Sequence, residues 1–288
     1  ETDSNEIYVG DNNLKQLYYH ALIPDGVISG ALILLPGTWE TTEHLISSNQ
    51  KLFEFAYEKH LAVIALSINQ RLTLTDAILK IINVMINDAV VRYKIPEHKI
   101  VMGGWSMGGL FSLRYGEMAN ENKSKTAIKP AGVFSCDGPC DLENIYNMFE
   151  MKLAKFPDNG EAAYGIDELK KYCNGTPSES KEQYIYYSCY SHALKDGGNA
   201  KYLLSTPVRI YCDVDVNWWM QNRHLDFYSM NALDHSAMIL LLNENGNKQA
   251  EFINAYQKGY RLEGNRHPHS WSIVEPADCI SWILNCIK

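Results

Sequence analysis

No apolar run in this 288-residue chain approaches the roughly 20 residues needed to cross a bilayer. The most apolar pieces, "ALILLPG" and "LAVIALSI", are the length of strands. Positive charge is also short: 26 Lys and Arg stand against 34 Asp and Glu, a formal net charge of -8. That balance argues against a nucleic acid or an anionic membrane surface as partner, since both call for a basic face. No CxxC pair suggests zinc. The seven cysteines, Cys136, Cys140, Cys173, Cys189, Cys212, Cys279 and Cys286, are scattered and odd in number, which is not a disulfide framework, although one or two bridges stay open. Internal repeats, low-complexity tracts and Pro/Ser-rich linkers are missing. The chain begins at Glu1 rather than Met, so processing is expected, and this favours export to the periplasm or medium over the cytoplasm. Two N-x-S/T sequons, at Asn122 and Asn174, mean little without a known host.

What the chain does contain is short apolar, β-branched runs alternating with longer helical patterns, the signature of βαβ units and a mostly parallel sheet. Strands are expected at 17–23, 31–35, 62–68, 100–103, 132–135, 208–211 and 251–256. The N-terminal "NEIYVG" and "LKQLYYHALIP" read as an antiparallel pair leading in. The clearest helix is 75–92, "TDAILKIINVMINDAVVR", where Asp76, Lys80, Asn83 and Asn87 form one polar stripe and Thr75 serves as N-cap. Between 141 and 205 the alternation stops. That stretch is rich in Lys, Glu and Asn, carries eight of the 18 tyrosines, and is far longer than an ordinary crossover. It reads as a helical cap inserted into a single α/β domain spanning 1–288.

Residues 104–108, Gly-Trp-Ser-Met-Gly, match G-x-S-x-G between an expected strand and an expected helix. A serine on that sharp turn needs a strained backbone, and its neighbours must be small, which accounts for Gly104 and Gly108. The blander reading is close helix–sheet packing. Ser106 is a weak nucleophile alone and needs a base oriented by an acid. Of nine histidines, His269 in "EGNRHPHSWSIVEP" lies beyond the last expected strand, where parallel sheets place functional groups. His267 precedes Pro268 and reads as a loop or rim residue, while His44 and His60 read as surface residues of helices. The strand "PVRIYCDVDV" delivers two carboxylates. Asp215 is favoured as the acid, Asp213 competes, and Asp137 after "AGVFSC" is a third delivery point. The oxyanion donors are expected to be the N–H of Met107 and one from the loop after "ALILLPG", Thr38 or Trp39.

Together the elbow "GGWSMGG", the strand end "CDVD" and the "HSW" histidine resemble the α/β-hydrolase superfamily over roughly residue 15 to the C-terminus, with the look of its serine carboxylesterase and prolyl-oligopeptidase-like branches. The resemblance implies an eight-stranded, mostly parallel twisted sheet with helices on both faces, no metal, no cofactor, and hydrolysis through an acyl-enzyme. Two departures stand out: "PGTW" replaces the His-Gly of many relatives before the oxyanion position, and "CDVD" lacks a glycine often found three residues before the acid.

Trp39, Trp105, Trp218, Trp219 and Trp271 adjoin these positions in sequence, and Trp39, Trp105, Trp218 and Trp271 are expected to line a small-molecule or peptide substrate site. Core packing near strand ends is the plain alternative. The function expected is carboxylesterase, with a serine peptidase behind it. From another class comes a catalytically silent protein that keeps the fold for binding. Nothing in the sequence marks an oligomer interface.

Overall fold

The computed structural model describes residues 18–68, 72–122 and 124–288. Its centre is a sheet of seven strands among the described residues: β1 (Tyr19–Leu22), β2 (Gly30–Leu35), β3 (Leu61–Leu66), β4 (Ile100–Trp105), β5 (Gly132–Cys136), β6 (Val208–Cys212) and β7 (Ala250–Asn254). They lie in the order β1-β3-β2-β4-β5-β6-β7. Only β1 runs antiparallel, at the edge against β3; every other pairing is parallel. Among the described residues the count is therefore seven against the expected eight. "NEIYVG" lies outside the described residues, and β1 pairs with β3.

Strands β2 to β6 are buried along their whole length, because helices cover both faces of a parallel sheet and no position alternates to solvent. Alternation survives only as a choice between two apolar layers. Ile33, Ile64 and Met102 point into one, and Leu32, Val63 and Val101 into the other. The helices are α1 (Thr42–Ser48), α2 (Gln50–Glu58), α3 (Asp76–Tyr93), α4 (Met107–Glu121), α5 (Leu142–Lys155), α6 (Gly160–Cys173), α7 (Lys181–Tyr187), α8 (Val216–Arg223), α9 (Ala232–Glu244) and α10 (Pro276–Cys286). α3 begins where Thr75 Oγ1 accepts from the Ile78 N–H at 3.4 Å and ends on Lys94 in the left-handed region. Its exposed face carries Asp76, Lys80 and Asn87. Asn83 sits inward of that stripe, bonded to Lys125 O and to the hydroxyl of Tyr115. None of the described helices is long and apolar enough to cross a membrane.

The long connection from β5 to β6 is helical and carries α5, α6 and α7. A second excursion, α8 and α9, leaves the end of β6. All seven cysteines are free thiols, and only Cys286 is not fully buried. A thiol in such surroundings behaves as a small apolar group.

Candidate active site

The strand–turn–helix joint at the end of β4 is tight for a reason visible in its backbone. A Cβ on Gly104 would fall 2.2 Å from the Gly108 backbone, and one on Gly108 would fall 2.3 Å from Leu35 O. Helix α4 therefore starts directly against β2 and β4, and only glycine permits it. Between these glycines Ser106 adopts φ 55°, ψ -125°, a conformation a non-glycine residue rarely takes. It is held by its own N–H, which donates to Cys136 O at 3.0 Å. The turn lifts the side chain out of the sheet at the N-terminus of α4.

Ser106 and His269 line one cavity of about 290 Å³ at the carboxyl ends of the strands. His269 stands in the loop after β7, its ring 5.0 Å from that of Trp105. Its Nδ1 lies 2.6 Å from a carboxylate oxygen of Asp137. Among the described residues no hydrogen bond joins the Ser106 hydroxyl to the imidazole.

Asp137 is the first residue after β5, in the left-handed region at φ 51°. Its N–H still continues the sheet ladder to Tyr211 O. One carboxylate oxygen faces His269, and the other accepts from Cys212 Sγ at 3.2 Å. Burial alone would raise this carboxyl, but the imidazole and the thiol outweigh it and hold its pKa below the ordinary value. The neighbouring His235 is fully buried, and burial lowers its pKa, so it stays neutral.

Asp215, the residue expected beside His269, is not brought to it. Asp215 caps α8, accepting from Trp218 N at 3.1 Å, and pairs with Arg266 at 2.9 Å. Asp213 accepts the N–H groups of Gln257 and Gly259 and shares the same guanidinium. Both carboxylates are committed to shaping the loop after β7, and neither meets His269. β5 adjoins the serine strand, whereas β6 lies one strand further away. The signal that points to Asp137 is the Asp-Gly pair directly after a strand: aspartate tolerates the left-handed turn, and Gly138 follows where a Cβ would come 2.4 Å from Ser106 O.

The loop after β2 approaches from the other side. Gly37 N donates to the Glu40 carboxylate, and Glu40 N returns to Gly37 O. The N–H groups of Thr38 and Trp39 are left without acceptors among the described residues, as is that of Met107 at the start of α4. Thr38 and Met107 both line the cavity, and the Thr38 hydroxyl is buried with no partner. Glu40, which sequence reasoning missed, anchors this loop. Besides Gly37 N it accepts from Trp271 Nε1 at 2.8 Å and lies 2.8 Å from His44 Nδ1, so His44 is an anchor rather than a plain surface residue.

Of the tryptophans expected around substrate, Trp39 and Trp105 line the cavity. Trp218 and Trp271 do not. Trp218 packs on His267 at 4.7 Å, and Trp271 is buried with its indole N–H spent on Glu40. Trp219 lines the cavity instead. The far wall comes from the helical connection between β5 and β6. Ile145, Met148 and Phe149 of α5 and Tyr164 of α6 face inward, and Tyr164 stacks on Trp39 at 4.9 Å.

No family model and no curated protein sequence matches the chain. Solved structures do, and the similarity lies in the fold. MPT51 (FbpC1) of Mycobacterium tuberculosis superposes with a TM-score of 0.56 at 12% identity, covering 94% of this chain and 93% of that one. Carboxyl esterase 2 of the mycorrhizal fungus Tuber melanosporum gives 0.55 at 13% identity over 93% and 79%. The fluorophosphonate-binding serine hydrolase FphF of Staphylococcus aureus gives 0.54 at 13% identity over 94% and 92%. The chain has the α/β-hydrolase fold.

Proposed function

We propose that this protein is a serine hydrolase that cleaves carboxylic esters through an acyl-enzyme, with Ser106 as nucleophile, His269 as base and Asp137 as the orienting acid. The observation that carries the reading is the strained Ser106 at the strand–helix elbow, facing the same cavity as an imidazole held by a buried carboxylate. The hydrogen bond to Asp137 keeps the proton on Nδ1, so Nε2 has a free lone pair. That nitrogen takes the serine proton as Oγ attacks the ester carbonyl, then returns it to the departing alcohol. Asp137 stabilises the imidazolium that forms between the two steps. The N–H groups of Met107 and Thr38 receive the oxyanion, aided by the dipole of α4. Water repeats the sequence on the acyl-enzyme, activated by the same imidazole. The neighbouring folds named esterase and serine hydrolase support this chemistry without fixing the ester. The 141–205 insertion acts as a cap that admits substrate.

The test is turnover of p-nitrophenyl acetate by the wild-type protein beside Ser106→Ala and His269→Ala. Both variants are expected to lose at least about a thousandfold in kcat. A folded wild-type protein inert toward short esters and aminoacyl amides alike points to a specialised substrate admitted by the cap; a folded protein that also leaves Ser106 unlabelled by a fluorophosphonate overturns the hydrolase reading in favour of a silent binding protein. Turnover confined to the amides replaces the esterase with a peptidase.

A further inference from the structure

One side of the cavity is more cationic than its chemistry requires. Lys152, Arg223 and Arg261 all line it. Lys152 is satisfied, since its ammonium meets the Glu161 carboxylate at 2.7 Å. Arg223 and Arg261 form no ion pair with any carboxylate among the described residues. They converge instead on His267: Arg223 Nη2 lies 2.9 Å from its Nε2, and Arg261 Nη2 lies 3.5 Å from its Nδ1, which also faces the His269 N–H at 3.2 Å. Both ring nitrogens thus face N–H donors, while a neutral imidazole has one lone pair to offer. Protonation gives no relief, because it would add a third cation; burial and the two guanidiniums drive the His267 pKa down to about 3. A half-buried guanidinium also loses hydration, and burial lowers the pKa of Arg261. Arg261 lies over the Trp105 ring at 4.9 Å, and that ring lies against His269. The surplus donors are therefore one ring away from the imidazole, in a chain whose net charge is -8.

We infer that Arg223 and Arg261 form an anion subsite, and that the substrate is an ester carrying a carboxylate a few bonds from the scissile carbonyl. This rests on the hydrolase reading above. A carboxylate between the guanidiniums supplies the acceptors that His267 cannot, and Arg forks suit carboxylate geometry. The apolar wall of Ile145, Met148 and Phe149 covers the carbon chain between the two ends.

Two matched pairs test it, with each rate corrected for the same ester's hydrolysis without protein, which for the glutarate ester includes attack by its own carboxylate through the cyclic anhydride. The monoglutarate ester of p-nitrophenol is compared with the valerate ester, and 4-acetoxybenzoate with phenyl acetate, placing the charge on the acyl or on the alcohol side. In at least one pair the anionic member is expected to have the higher kcat/KM by roughly tenfold or more. That ratio should fall at least fivefold in Arg261→Gln and in Arg223→Gln, the second being exposed and tolerant of change. A preference for the neutral member in both pairs, or a ratio unmoved by either variant, overturns the subsite while leaving the hydrolase reading intact. If no ester is turned over, calorimetric titration with glutarate reads the subsite alone: binding weakened tenfold in the variants supports it, and absence of binding refutes it.

Discussion

Replacing Asp137 by Asn separates the two strand ends that carry carboxylates. The substituted side chain is buried, its oxygens facing His269 at 2.6 Å and Cys212 at 3.2 Å. An amide has one acceptor where the carboxylate has two. If the oxygen stays on the imidazole, the NH2 faces a thiol that is a weak acceptor. If the amide turns, its N–H faces Nδ1 and forces the ring proton to Nε2, where it can no longer accept from Ser106. In both cases the negative charge beside the developing imidazolium is gone, and a loss of roughly four orders of magnitude in kcat is expected, as for this change in other triads. Asp215→Asn is the matched control. Asn caps a helix as well as Asp, and Arg266 keeps its 2.9 Å contact with Asp213, so kcat should stay within about fivefold. Both are read by p-nitrophenyl ester kinetics, with circular dichroism to show folding. Near-wild-type turnover by folded Asp137→Asn, together with collapse in Asp215→Asn, would refute the assignment.

Other consequences follow from the same contacts. Glu40→Gln removes one of the acceptors shared by Gly37 N, Trp271 Nε1 and His44, loosening the oxyanion loop against the histidine loop. On the proposed oxyanion role of that loop, kcat should drop about 10- to 100-fold with KM little changed, whereas a general loss of packing would instead lower the melting temperature in step with activity. Burial raises the Asp141 carboxyl to about 6 although it caps α5. A folded-state pKa above the ordinary 3.8 means the native protein holds its proton more tightly, so this group makes stability fall as pH rises from about 4 through 6. The stability difference between Asp141→Asn and wild type should therefore shift toward the variant by roughly 2–3 kcal/mol across that window, measured by urea unfolding at several pH values. A thiol reagent should titrate at most Cys286 rapidly in the native protein, and all seven cysteines after denaturation without reductant. Gly104→Ala should give no soluble protein, since its methyl meets backbone that cannot move aside.

Much of the scaffold was legible along the chain because parallel strands covered on both faces read as unbroken apolar runs. β2, β3, β4, β5 and β6 each coincide with an expected run to within two residues, and α3 with its Thr75 cap was written in its polar stripe. The elbow was legible because its steric demand is local: glycine on both sides of one serine. The partner of His269 was not, because Asp137, Asp213 and Asp215 all follow strand ends and differ only in what surrounds them in space. Arg266, distant in sequence, occupies two of the three. Trp271 misled for a similar reason. Its place beside His269 suggested a substrate contact, yet the loop turns the indole inward to Glu40, 231 positions away. The eighth strand, expected both from the resemblance and from "NEIYVG", falls outside the described residues.

The most direct test of the central claim is the intact mass of the folded protein after exposure to a fluorophosphonate. A single adduct is expected, mapped by peptide mass spectrometry to Ser106, absent in Ser106→Ala and strongly slowed in His269→Ala. An unmodified Ser106 in correctly folded protein, or an adduct on another residue, contradicts the account.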